Sequence, residues 1–210
     1  MVRQGGLPGQ RDSISTTPRN IIASYTPSPG YVGGIIVVDA TYSYDGSQSS
    51  GDEQKLRAGI PMAKITASGL WAPCKRTRVN MSDATVTELV VDDARFFQAG
   101  DTITVGGDTT VAVSAVDYAT NTLTIASTAV VDDEDVYADN TPGIEICRGF
   151  LNEYINLVDE DNTARDKQAS KILNRAMIDA SMVLGDLDAI RNETGHFVDG
   201  ILYDDQHGNQ

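Results

Sequence analysis

The amino-acid sequence predicts a mainly β protein with one or two short helices. Three observations lead there. Short β-branched and apolar stretches alternate with polar residues, as in Thr102-Ile103-Thr104-Val105 and Leu123-Thr124-Ile125. Nineteen glycines, with many Thr, Val, Asp and Ser, supply closely spaced turns. Long helical bundles need more Leu, Glu and Lys than this chain carries.

The elements follow in chain order. Residues 1–20 mix Gly, Pro, Ser, Thr and Gln without apolar periodicity, so they read as a flexible arm made basic by Arg3, Arg11 and Arg19. Order begins at Ile21. Residues 35–42, Ile-Ile-Val-Val-Asp-Ala-Thr-Tyr, read as a strand, and residues 44–52 as a loop. In residues 62–67, Met62, Lys64 and Thr66 alternate with Ala63, Ile65 and Ala67, which predicts a short strand with one apolar face. A Ser68-Gly69 turn then leads to a second strand from Leu70.

The middle of the chain carries the clearest β pattern. Residues 88–91, 102–105 and 123–125 read as strands, with turns at Gly100, at Gly106-Gly107-Asp108 and over 117–121. Val111, Val113, Ala115 and Tyr118 fall on mixed parity, which predicts a β-bulge. Strands at this spacing suggest a small barrel or sandwich over 83–140. Residues 142–147 and 149–158 read as further strands, and Asp159–Thr163 as a polar loop able to cap a helix. Residues 169–187 fit a helical stripe. A strand over 171–178 followed by a helix from Asp179 fits as well, and the two readings stand side by side.

Charge divides the chain in the same places. Residues 1–82 carry 9 basic and 5 acidic side chains, residues 83–139 carry 1 and 12, and residues 140–210 carry 6 and 13. The formal net charge is −14. A body this acidic repels phosphate, so neither nucleic acid nor an anionic membrane surface is an expected partner. Apolar runs of about four residues are too short to span a bilayer, and residues 1–8 lack a secretory apolar core.

The search for chemistry finds no catalytic constellation, and the protein is expected not to be an enzyme. Cys74 and Cys147 are too far apart to suggest a metal site and read as part-buried thiols. His196 and His207 read as surface residues. There is no G-x-S-x-G elbow and no Walker loop. A calcium loop starting at Asp159 fails at Ala164 and Ser170, where Gly and Glu are needed. Asp132-Asp133-Glu134-Asp135 reads as a solvated turn. No cofactor and no metal are expected.

Two separated stretches carry a family pattern. Residues 56–73 place Leu56, Gly59, Ala63, Lys64, Thr66, Gly69 and Pro73, with Trp71 at an aromatic position, in an order that resembles the lambda-type head decoration proteins of tailed phages. Residues 149–155 look like the Gly-Ile-Leu strand that follows in that family, and residues 172–179 like a later strand entering a helix at Asp179. In simple members the two stretches lie close together; here roughly 75 residues intervene, read as an insert.

The resemblance implies a β-tulip-like decoration core over 21–82 and 141–210, with an acidic β domain inserted at 83–140 and the arm at 1–20. It further implies a homotrimer on the outer surface of the virion head, made in the host cytoplasm and bound to the major capsid protein. The capsid-binding arm would use Arg3, Arg11, Arg19, Ile21, Ile22 and Tyr25. Two alternatives stay open: another virion component, such as a tail or adaptor module, and a glycan-binding protein using the acidic insert.

Overall fold

The computed structural model describes residues 21–22, 29–107, 109–169 and 171–191, and the backbone of 201–204. The chain is mainly β. Its strands are β1 (Gly30–Tyr31), β2 (Ile36–Val38), β3 (Lys55–Leu56), β4 (Pro61–Lys64), β5 (Trp71–Pro73), β6 (Arg76–Arg78), β7 (Asp83–Val90), β8 (Thr102–Val105) and β9 (Thr109–Asp117). Then come β10 (Thr122–Val130), β11 (Asp135–Ala138), β12 (Cys147–Leu151), β13 (Ile155–Asn156), β14 (Lys167–Ala169) and β15 (Ile172–Asp179). A 3-10 turn (Ala180–Met182), the short helix α1 (Leu187–Arg191) and β16 (Ile201–Asp204) complete the described elements.

Two large sheets and a two-stranded pair, β3 with β13, organise these strands. The first runs β1-β15-β12-β4-β5-β2-β14, with β16 parallel to β15. The second runs β6-β11-β8-β9-β10-β7 and takes in residues 76–78 as well as strands from 83–138. It closes on itself, because Val79 bridges to Val91, Asn80 N–H donates to Val90 O at 2.9 Å and Asp92 N–H to Arg78 O at 3.0 Å. This barrel encloses Leu89, Phe97, Ile103, Val105, Leu123 and Val136, all at most 3% exposed. Its inward residues alternate along β8, β9 and β10, as a half-buried strand requires.

The bulge is present. Thr124 pairs with Ala115 but Ile125 pairs with Val113, so Ser114 is the extra residue of β9. Gly106 (φ 61°) and Gly107 (φ 83°) make the β8–β9 turn, a conformation other L-residues resist.

Four local expectations are corrected. The strand expected over 35–42 is only Ile36–Val38, because Asp39 Oδ1 accepts the N–H of Thr41 and of Tyr42 and turns the chain. Residues 142–146 form turns, not a strand: Gly143 sits at φ 98°, and a Cβ there would lie 2.4 Å from Lys64 O. Asp159–Thr163 caps no helix. It closes a turn through Asp159 N–H to Thr163 O, with Asn162 at φ 59°. Of the two readings of 169–187 the helical stripe gives way to the strand reading: β15 spans Ile172–Asp179 and runs into a 3-10 turn that Asp179 caps through Ser181 N–H, and the helix of this region is the short α1. Hydrogen bonding to β1, β12 and β16 outweighs the helical spacing.

Candidate functional site

The residues singled out in the sequence divide by location. Arg3, Arg11, Arg19 and Tyr25 lie outside the described residues, as do His196 and His207. Ile21 and Ile22 are the described end of the segment that leads out of residues 1–20. Ile21 is fully buried, and its carbonyl accepts Asp179 N–H at 3.0 Å. Ile22 bridges to Ile178 and is half-buried. The Ile21 side chain therefore anchors the segment to the body and is not itself offered to a partner.

Two of the motif residues, Gly59 and Ala63, lie beside that anchor; the others pack or turn the chain elsewhere. Leu56 on β3 and Ala63 on β4 are fully buried, and Trp71 and Pro73 on β5 are buried. Gly59 lies at φ 95°. A Cβ there would sit 2.1 Å from Met182 O and 3.4 Å from Ile21 Cγ2, so only glycine lets the chain before β4, the 3-10 turn and Ile21 meet. Gly69 (φ 73°) turns β4 into β5, with its N–H on Ile65 O at 2.9 Å. Lys64 and Thr66 are exposed, and Thr66 N–H ties this turn to Pro142 O at 2.9 Å. The motif positions thus do packing or backbone work, and none is placed for chemistry.

A second constellation lies where the two sheets meet. Lys75, just before β6, places Nζ 2.8 and 2.7 Å from the two carboxylate oxygens of Asp101; the side chains are 1% and 6% exposed. Burial pushes the Lys75 ammonium down from its usual range, against the Asp101 carboxylate and its hydrogen bonds. Arg78 on β6 reaches Asp92 at 2.9 Å, Asp133 at 3.3 Å, Asp186 at 3.4 Å and Asp188 at 3.5 Å, so it links the barrel to the start of α1. Burial opposes the Arg78 charge, but Asp186, Asp92 and Asp188 outweigh it and its pKa is raised. Burial, and then repulsion from Asp186, raise Asp92 above the ordinary carboxylate range.

Apolar contacts reinforce this junction. Phe96, from the barrel, belongs to the core of the first sheet with Trp71, Leu151 and Leu184. Tyr118 packs its ring on Gly46, lies 5.8 Å from the Tyr44 ring and donates to Phe97 O at 2.9 Å. Gly46 N–H donates to Arg95 O at 2.8 Å. The barrel therefore packs directly against the first sheet.

Sequence reasoning missed the junction entirely. Asp101 follows a turn glycine, and Lys75 and Arg78 sit in the short basic run 75–78, but no local signal says that these charges turn inward. Elsewhere the described residues offer little for chemistry. A shallow groove of about 470 Å³ is lined by Ser82, Asp83, Ala84, Ala129, Val130, Val131 and Glu134. Among the described residues no three His, Cys, Asp or Glu are grouped to hold a metal ion, and no helix is long and apolar enough to cross a membrane. Both cysteines are buried thiols. No protein-family model, no curated protein and no solved structure matches the chain.

Proposed function

We propose that this chain is a structural virion protein that binds the outside of an assembled tailed-phage head as a trimer and stabilises it against the pressure of packaged DNA. The observation that supports this best is the place of residues 56–73. They form β3, β4, β5 and the turns between them, and Gly59 seats Ile21, the point from which residues 1–20 depart. The segment that carries the family resemblance therefore holds the root of the basic arm.

In this reading Arg3, Arg11 and Arg19 meet carboxylates of the major capsid protein, and the arm orders by adding to a capsid sheet edge. Repetition over many copies makes modest contacts sufficient. The acidic barrel points to solvent and keeps the particle from binding DNA. No catalysis, cofactor, nucleic acid or membrane takes part. The protein is made in the host cytoplasm and acts on the virion surface.

The test mixes full-length protein, or a variant lacking residues 1–20, with expanded DNA-free heads and sediments them. The full chain co-sediments; the shortened one stays in solution while light scattering still gives a trimer. Equal binding by both removes the arm from the reading. Binding by neither, or a hexameric or dodecameric mass, overturns the decoration role and favours a tail component.

A further inference from the structure

The shallow groove beside β7 and β10 has a floor and a rim of different character. Its floor is apolar, made by Ala84, Ala129, Val130 and Val131, and its rim carries Asp83 and Glu134. It lies where the β7–β10 ladder shifts register, between Thr128 opposite Val86 and Val130 opposite Asp83. The chain after β10 then turns tightly. Val131 N–H donates to Glu134 Oε2 at 3.0 Å, Asp132 N–H to Ser82 Oγ at 2.9 Å and Asp133 N–H to Val79 O at 2.9 Å. With the backbone bonded in this way, Val131 is held with 58% of its surface exposed.

A single exposed valine is ordinary. This one continues an apolar floor and stands among carboxylates that lack a cation. Arg76 answers Asp135 and Arg78 answers Asp133, while Arg95, the one basic residue of 83–139, is taken by Asp93 at 2.7 Å. Asp83, Asp132 and Glu134 have no ion-pair partner among the described residues. Such a surface suits a segment that brings both an apolar side chain and arginines, whose methylene stems also cover apolar area.

Charge and chain length select the occupant. A second copy brings the same acids and is repelled. Residues 23–28 and 192–210 contain no Lys or Arg, whereas residues 1–20 carry Arg3, Arg11 and Arg19 against Asp12 alone. Within them Ile14 lies between Arg11 and Arg19. A path of contacts joins the root of this segment to the groove. Ile21 shares a buried cluster with Ile190 of α1. Asp188 of α1 lies 3.5 Å from Arg78, and Arg78 lies 3.3 Å from Asp133, the neighbour of Glu134 on the rim. Twenty extended residues reach about 66 Å, enough to cross the short helix and the end of the barrel.

We propose that residues 1–20 dock in this groove of their own chain, with Ile14 on Val131 and the arginines against Asp83, Asp132 and Glu134. The groove holds the arm while the protein is free, and the carboxylates of any partner compete with it for the same arginines. The inference does not depend on the function proposed above, because the arm is measured here without heads.

The test is millisecond hydrogen exchange, read by mass spectrometry, on the full chain, on Val131→Lys and on an Arg3→Glu, Arg11→Glu, Arg19→Glu triple variant. Val131 is exposed and the three arginines precede Ile21, so exchange in β12 and β15 should be the same in all three proteins and shows that each is folded. In the wild type, peptides from residues 1–20 should exchange roughly tenfold more slowly than in Val131→Lys. Peptides spanning 126–134 should exchange more slowly than in the triple variant by a similar factor. Equal exchange of residues 1–20 in wild type and Val131→Lys overturns the proposal. Protection of 126–134 that survives the triple variant overturns it too, because a second copy then covers the groove.

Discussion

Tyr118 and Gly46 pack so closely that a Cβ at residue 46 would lie 2.2 Å from Cε1 of the tyrosine ring. Tyr118 belongs to the turn after β9 of the barrel, and Gly46 to the loop between β2 of the first sheet and β3. Burial, and then the Tyr44 charge, hold the Tyr118 phenol above its usual range, so it remains a donor to Phe97 O. Gly46→Ala is therefore expected to lower stability by about 1–3 kcal/mol through overpacking. A Gly46→Ala, Tyr118→Ala double variant should lose less than the sum of the two single variants, as a double-mutant cycle by urea denaturation would show. Additive losses would mean that the two residues do not touch.

Gly59 carries two constraints at once, a φ of 95° and a Met182 carbonyl where a side chain would begin. Gly59→Ala is expected to cost more than the roughly 1 kcal/mol of an ordinary glycine substitution and to reach about 3 kcal/mol or more. Gly33→Ala, where nothing lies within 4 Å of an added Cβ, is the control and should be near neutral. Thermal melts of the two variants separate the cases.

Replacing Arg78 by Met leaves Asp92, Asp133, Asp186 and Asp188 without their shared guanidinium. The expected loss is about 2–3 kcal/mol, less than for a fully buried pair because Arg78 is still 20% exposed. Arg78→Lys should not restore it, since one ammonium cannot span four carboxylates as the planar fork does. The wild-type advantage should shrink in high salt, and chemical denaturation at two ionic strengths measures both effects.

Acid should weaken the fold in a defined window. The Ala119 N–H, and then Thr120, hold Asp117 below its usual range, and the Thr163 N–H does the same for Asp161. A depressed folded pKa gives stability that is complete above the unfolded value, about 3.9, and lost as pH falls through the folded pKa. Asp92, whose pKa is raised, works the other way and regains stability on protonation. An Asp117→Asn, Asp161→Asn double variant should show a shallower stability loss between about pH 5 and pH 2 than wild type, read from urea midpoints.

The barrel was the most legible part of the fold. Its strands alternate, its Gly106-Gly107 turn is local chemistry, and the mixed parity at 111–118 marked the bulge before any pairing was known. The candidate site was far less legible. Leu56, Gly59 and Ala63 stood out as a pattern, but the role of Gly59 in seating Ile21 depends on Met182, more than a hundred residues away. The junction gave no sign at all, because a lysine's sequence neighbours do not say whether its ammonium meets water or Asp101.

Charge shows the same division. Residues 83–139 hold 12 acids against one arginine, yet several of those acids are answered from residues 75–78: Asp101 by Lys75, Asp135 by Arg76, and Asp92 and Asp133 by Arg78.

By itself the sequence determined the β class, the turns of the barrel, the bulge and the segregation of charge. These follow from side-chain alternation, from glycine's access to positive φ and from composition, all of which act within a few residues. Only the tertiary structure decided that residues 172–179 are a strand, that residues 142–146 are not, that the barrel is fixed to its neighbour, and that Lys75 lies inside. Each of these is a competition between a local preference and contacts made by distant parts of the chain, and burial and hydrogen bonding across the fold outweigh the local term.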